Sequence, residues 1–419
     1  MCYIPLVISF LMAYFCYKKN GVDLSFFVSF IYIISSFCAI ILIEDEQQVF
    51  LEDYRHFEIS FTPTLLYILI IILSVYPLYK FNTNKIRKIN KTIDTGYLDK
   101  LLFCYIIAFI ITIVLFGNTI PERLVLSNMK EYRDISHSDD TIMVGLPFTT
   151  KILAYLALGL GSGGFALIVY FYFCLAFTNK SKLYLVIILL LSMLPVFNGI
   201  LAMDRSNAFY WGLLLCLGFF LFKPYLTRNK KRFLIKSSFI TLAILAVYFI
   251  AVSIARFDES DAGTFNTIVD YAGQPYLNFC NEWNCLSIKE YSFVDVFPVL
   301  KLLTSYDSTD FIINPKQIPI NGFHTYAGYF MFSFGHFGVV FFPLLIFVIV
   351  IFFSRKRVVY MDVKSFTVLF LIFAIPQTGV ISYFYGTEWR FIYAFFFVYW
   401  SSKMRNLKDK FNLKKLCPV

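Results

Sequence analysis

Charge is what this sequence has least of. Only 15% of its 419 residues are Asp, Glu, Lys or Arg, where a soluble domain carries about 25%. That shortage excludes an ordinary solvated globule over most of the length. Histidine is scarcer still, with four residues, His56, His137, His324 and His336. None stands at ligand spacing with cysteine, so neither a metal nor another cofactor is expected. No Walker glycine loop, dinucleotide fingerprint or Gly-x-Ser-x-Gly elbow occurs, which removes the usual signatures of nucleotide-driven chemistry and of serine hydrolases. Internal repeats and low-complexity tracts are missing as well.

What is present is apolar sequence in long runs. Hydrophobic residues make up 59% of the chain, and Phe alone accounts for 51 positions. A helix needs about 20 apolar residues to cross the ~30 Å hydrocarbon layer. Runs of this kind occupy 24–43, 58–79, 100–117, 153–178, 183–201, 206–222, 237–255, 333–353, 365–382 and 387–402, with a shorter one from Cys2 to Tyr17. Backbone groups in lipid must be satisfied within their own segment, so each run is predicted to be helical. The expected fold class is all-α, a polytopic integral membrane protein of about eleven transmembrane helices, with 1–419 forming a single integral membrane domain. The first run is read as a retained span, because no basic residue precedes it and Lys18–Lys19 follow where a small-residue cleavage site would stand.

The net charge of +10 sorts by side of the membrane, which accounts for it better than a nucleic-acid partner does. Alternate inter-span segments, including 80–100, 223–236 and the tail from Lys403, hold 26 of the 37 basic residues and only 5 of the 27 acidic ones. Lys/Arg-rich short loops stay in the cytoplasm. The N-terminus is therefore expected outside, the C-terminus inside, and the number of spans odd. The protein is expected in a cell inner membrane or plasma membrane.

Two external loops are long. Loop 118–150 carries Arg123, Lys130, Arg133, His137, Asp139 and Asp140. Loop 256–332, between the eighth and ninth spans, is the largest extracytoplasmic segment, and long ordered loops are usually functional. Within it, Ile268, Tyr271, Tyr276 and Phe279 recur at helical spacing from Thr264 to Trp283, which predicts an amphipathic helix. Tyr291 to Leu303 is apolar and too short to span, consistent with an interfacial segment. The acidic hairpin from Glu44 to Glu58 reads as a solvated external face. Cys280 and Cys285 lie in the external loop, where a local disulfide and a pair of buried free thiols are both open.

Six arginines face outward on this topology: Arg55, Arg123, Arg133, Arg205, Arg256 and Arg390. Arg205 stands in the short turn Met203-Asp204-Arg205-Ser206 at the start of a span. A helix N-terminus together with a guanidinium fork suits phosphate; equally, Asp204 and Ser206 cap the helix while Arg205 pairs with Asp204 or lipid head groups. Arg256 either meets an anionic substrate or neutralises the C-terminal end of the eighth span. Arg390 either does the same or pairs with Glu388. His324, in Asn321-Gly322-Phe323-His324-Thr325-Tyr326, either is a partly exposed loop histidine or takes a proton from a hydroxyl, for which it has the chemistry. His336, twelve residues on, would stand ~18 Å away along a continuous helix. Gly335 and Gly338 read as close-packing positions.

The stretch His324-Thr325-Tyr326 followed by Phe334-Gly335-His336-Phe337-Gly338 resembles the segment that closes the large periplasmic loop in O-antigen and capsule repeat-unit polymerases and in the related O-antigen ligases. Asp204-Arg205-Ser206 is similar to that family's arginine–serine element, and Arg256 opening the long loop fits the same layout. Ser333 departs from the pattern, since many polymerases carry an acid there. The resemblance implies a GT-C-like fold and a metal-independent glycosyltransferase acting outside the membrane. The donor would be a glycan on polyprenyl diphosphate, and the acceptor a sugar hydroxyl of a second lipid-linked unit. It further implies His324 as base, Arg205 and Arg256 as catalytic cations, and Arg390, Arg123, Tyr271 and Tyr326 as substrate-binding residues; Tyr271, Tyr276 and Trp283 either stack on sugar rings or serve the loop's own packing. Partners are the lipid-linked oligosaccharide, membrane lipid and a chain-length regulator protein. A ligase, which attaches the finished glycan, and a flippase or transporter of the lipid-linked glycan remain alternatives. Charged residues gathered at span ends rather than at the midplane count against transport.

Overall fold

The computed structural model describes residues 1–45, 50, 54–81, 86, 88–91, 95–118, 147–201, 206–236, 243, 247, 263–288, 311–313, 323–357 and 360–383. The secondary structure is almost wholly helical: α1 (Tyr3–Asn20), α2 (Leu24–Ile43), α3 (Phe61–Lys80), α4 (Thr95–Phe116), α5 (Phe148–Ser162), α6 (Leu167–Phe177), α7 (Lys182–Leu191), α8 (Leu194–Leu201), α9 (Ser206–Phe222), α10 (Gly263–Cys285), α11 (Tyr326–Arg357) and α12 (Val363–Thr378). Among the described residues, seven helices are long and apolar enough to cross a membrane: Leu24–Ile43, Phe61–Lys80, Leu98–Phe116, Phe148–Phe177, Lys182–Leu201, Ser206–Tyr225 and Ser333–Ser354. This is the build of a multi-pass membrane protein. α12 is apolar and shorter. The runs 237–255 and 387–402, the interfacial segment 291–303 and loop 118–146 lie outside the described residues, apart from isolated positions.

The chain forms two compact units. The first contains residues 1–82, 257–356 and 372–391. Gly21, at φ 69°, closes α1, and Asp23 opens α2 by accepting the Phe26 N–H (2.9 Å) and the Ser25 hydroxyl (2.7 Å). α1 and α2 meet through small residues, with Ser9, Ala13 and Cys16 buried on one and Ser25 and Ser29 on the other. Without a hydrophobic drive in lipid, such close backbone approach supplies the packing energy. At one end Lys19 Nζ and Asn20 Nδ2 donate to the Tyr79 carbonyl at 3.0 and 3.3 Å. At the other, the Tyr3 hydroxyl donates to Glu44, and there α10 lies across the facing ends of α2 and α3. Gly273 makes that approach feasible, since a Cβ would stand 2.8 Å from the Ala39 nitrogen and 2.5 Å from Leu42 Cδ1. Tyr276 then reaches the first turn of α3, its hydroxyl 3.0 Å from that of Thr64, and its ring packs 4.9 Å from Tyr67.

α11 is broken at Gly335 (φ 63°, ψ −160°), a left-handed conformation that favours glycine. The break reverses the chain, so the Phe330 and Phe342 rings stack at 4.5 Å; a continuous helix would hold them ~18 Å apart. Gly335 is thus a turning point, while Gly338 does pack closely, with its Cβ position 2.5 Å from the Phe330 carbonyl oxygen.

The second unit contains residues 83–256, 357–371 and 392–419. In it Asn198 Nδ2 donates to Leu158 O (2.9 Å), Trp211 Nε1 to Ser192 Oγ (2.9 Å) and the Tyr172 hydroxyl to Leu215 O (2.9 Å). Buried donors in an apolar surround need such partners. Phe173, Phe177, Phe222 and Phe366 form an aromatic cluster, closest at 4.5 Å between Phe222 and Phe366. β1 (Lys88–Ile89) pairs in parallel with β4 (Tyr360–Met361), and in the first unit β2 (Leu286–Ile288) pairs antiparallel with β3 (Phe311–Ile313).

Candidate functional site

The predicted helix over 264–283 is present as α10, but its faces differ from the amphipathic expectation. Ile268 is exposed, whereas Asp270, Gln274, Asn278, Asn281 and Glu282 are all buried. Four of these, Asp270, Gln274, Asn278 and Glu282, recur every fourth residue, which places them in one row along the helix. Spacing alone could have shown this row; its burial could not be read from neighbours in the sequence, because its partners are remote.

Two of those partners are Tyr54 and Phe323. The Tyr54 hydroxyl donates to Asp270 Oδ1 at 2.6 Å. Gln274 Nε2 donates to Asp270 Oδ2 and to the Tyr54 oxygen, both at 3.0 Å, while Gln274 Oε1 accepts the Phe323 N–H at 3.0 Å. Asn278 Nδ2 donates to the Phe323 carbonyl at 3.1 Å. One turn further, Glu282 Oε1 pairs with Nδ1 of His324, the residue after Phe323. The Glu282 side chain is fully buried and that of His324 is 17% exposed, so the imidazole covers the carboxyl and is itself partly accessible. Thr325 Oγ1 caps the start of α11 by accepting the Gly328 N–H at 3.1 Å. Gly328 leaves room for the pair, its Cβ position lying 3.0 Å from His324 Cβ and 3.4 Å from Glu282 Oε2.

Burial pushes the Glu282 carboxyl above the ordinary carboxylate range, and the neighbouring His324 opposes that shift by favouring the ionised form. Because the folded value is raised, the proton-bound form is favoured by folding. The carboxyl's contribution to stability is therefore fully present below the ordinary glutamate range and is lost as pH rises through the raised value. Glu282→Gln is expected to remove that fall with rising pH, giving a flatter melting temperature against pH for the purified protein. A parallel pH profile in the two proteins would contradict this assignment.

His336 also reaches α10. Its Nε2 lies 2.8 Å from the Trp283 carbonyl oxygen and its ring centroid 4.1 Å from that of Trp283. His324 and His336 thus meet consecutive residues of α10, the first the Glu282 side chain and the second the Trp283 carbonyl, and the helix expected to carry His336 is interrupted at Gly335. Of the two alternatives open for Cys280 and Cys285, the disulfide is the one that the helix excludes. Cys280 is a free, buried thiol, and positions five apart in a helix hold their Cα atoms ~8–9 Å apart, too far for a bridge. Burial raises the Cys280 thiol, so it stays protonated.

Of the residues singled out from the sequence, Tyr271 is half-buried with its ring 5.2 Å from Phe323, beside His324. Tyr326 is fully buried, and its hydroxyl accepts from Ser74 at 3.3 Å. Tyr276 is likewise buried. These two are core residues rather than surfaces for a sugar. Trp283 is half-buried against His336, and Ser333 is buried. Arg123, Arg205, Arg256 and Arg390 lie outside the described residues, as does the side chain of Arg55.

Comparison with protein families, curated proteins and solved structures finds no match to this chain.

Proposed function

We propose that the chain is a membrane glycosyltransferase that polymerises lipid-linked oligosaccharide repeat units at the outer face of the membrane. The observation that carries the reading is the Glu282–His324 pair, a buried carboxyl holding one nitrogen of a partly exposed imidazole. A carboxylate at Nδ1 favours the tautomer whose proton sits there, which leaves Nε2 as a lone-pair acceptor. Such a unit takes a proton from a hydroxyl and stabilises the imidazolium that forms.

In the proposed reaction an acceptor sugar hydroxyl attacks the anomeric carbon of the donor glycan. Its proton passes to His324 Nε2, the new carbon–oxygen bond forms, and the bond to the polyprenyl diphosphate breaks with its electrons on the departing phosphate. That phosphate gains negative charge and needs cations, the role assigned to Arg205 and Arg256. The diphosphate linkage supplies the driving force. Tyr271, half-buried beside Phe323, offers an aromatic surface for a sugar ring, and Arg123 and Arg390 complete the binding set.

Membrane topology supports the placement. Tyr54 bonds to Asp270 and Ser60 bonds to Asn284 within one unit, so segment 54–60 and α10 share a face and an even number of crossings must separate them. Five apolar helices lie between Ser60 and Gly263 among the described residues. The run 237–255 supplies the sixth crossing in the eleven-span, GT-C-like arrangement proposed here, and the basic-residue bias puts this shared face outside.

Deletion in the native host, followed by gel analysis of surface glycan, is expected to leave one-unit products. Complementation by Arg205→Ala or Arg256→Ala is expected to leave the same products at normal membrane insertion. Polymer of wild-type length in either variant would remove these arginines from the mechanism. Unattached polymer in the deletion would point to a ligase, and loss of all external units to a flippase.

A further inference from the structure

We propose that Gln274 is the positioning residue of this site: its amide transmits the fixed orientation of the buried Asp270 carboxyl to the backbone of Phe323, and so sets where the His324 imidazole stands. The inference rests on the reading of His324 as base. Three hydrogen bonds decide which way the amide faces. On its nitrogen side are two acceptors, Asp270 Oδ2 and the Tyr54 oxygen, whose own proton is given to Asp270 Oδ1. The amide oxygen must therefore face away from them, and there it accepts the Phe323 N–H. Tyr54, Asp270, Gln274 and Asn278 are each no more than 5% exposed, so water offers no easy substitute for a lost partner.

Asn278 accounts for the other backbone group of Phe323 by donating to its carbonyl. Both polar backbone groups of the residue before His324 thus end on α10, and the next side chain in the row, Glu282, takes the imidazole. Segment 323–324 is held by three successive members of one helical row, as a strand is held by a neighbouring strand. Hydroxyl activation needs the base within hydrogen-bond reach of the acceptor, and a displacement of about 1 Å costs on the order of 10²-fold in rate.

The test uses the full chain in lipid nanodiscs with two variants. Gln274→Leu removes the acceptor for the Phe323 N–H at similar size. Asp270→Asn/Gln274→Glu moves the carboxyl one turn along the helix and still presents an oxygen to that N–H. Two quantities are read: chain extension, resolved into kcat and acceptor KM, and the ¹⁵N signal of the His324 imidazole, assigned by its loss in His324→Gln. Gln274→Leu is expected to lower kcat by about 10–100-fold with little change in acceptor KM, and to shift or broaden the imidazole signal. The double variant is expected to keep both near wild type. An unmoved imidazole signal in Gln274→Leu would overturn the proposal, as would a displaced signal in the folded double variant or its failure to fold. If Gln274→Leu does not fold, the double variant alone decides. Should no form of the protein extend chains while the imidazole signals follow the expected pattern, the positioning role stands and the polymerase reading falls.

Discussion

His324→Ala lowers the rate of chain extension by about 10²–10⁴-fold, the usual contribution of a general base, with membrane insertion and protein level unchanged. The size of the effect follows from what the substitution leaves behind. The acceptor hydroxyl loses its proton acceptor, and Glu282, fully buried, loses the imidazole beside it. A buried carboxylate without a partner is costly and neutralises by taking up a proton. The pair therefore ends as a single protonated acid facing a cavity, which cannot serve as a base. Steady-state rates with a lipid-linked acceptor check this, and turnover within twofold of wild type would show that another group or the substrate itself takes the proton. Glu282→Gln keeps the shape but removes the negative charge that steadies the imidazolium, so it lowers the rate as well, by less than His324→Ala.

Much of this architecture is legible in the sequence because the membrane simplifies the rules. A run such as Leu24–Ile43 has to be a helix in lipid, whatever its neighbours do. The same holds for α3, α4 and α9, whose positions follow the apolar runs within a few residues. α10 was legible as a helix from Ile268, Tyr271, Tyr276 and Phe279, but its buried face was not. Whether Asp270 and Gln274 point into solvent or into the protein depends on Tyr54, 216 and 220 positions away in sequence, and no local pattern carries that information. Glu282 was hidden for the same reason, since its value lies in meeting His324 across the chain.

Gly335 shows the opposite case. The glycine pair in Phe334-Gly335-His336-Phe337-Gly338 stands out in the sequence, and close packing is the ordinary reason for glycine in an apolar helix. Only the backbone angle distinguishes a turning point from a contact, and here it marks the reversal that stacks Phe330 on Phe342. The Cys280–Cys285 spacing left two outcomes open. Short separation along the chain suggests a bridge, but helical geometry holds the two positions apart while Cys280 packs inward.

The second large effect concerns sidedness, on which the chemistry depends, since the lipid diphosphate and the imidazole have to meet on one face. The first unit presents two ends. Asn284 is exposed at one, bonded to Glu58 and Ser60 beside the His324 site, and Lys18 is exposed at the other, beside the Lys19–Tyr79 contact. α1, α2 and α3 run between these ends, so a probe that cannot cross lipid should reach one and not the other. The most direct measurement is labelling of intact cells with a membrane-impermeant maleimide, using Asn284→Cys and Lys18→Cys in a chain whose nine native cysteines are replaced by alanine. Asn284→Cys is expected to label fully in intact cells and Lys18→Cys only after permeabilisation. The reverse pattern would put the Glu282–His324 pair in the cytosol and contradict the proposed reaction.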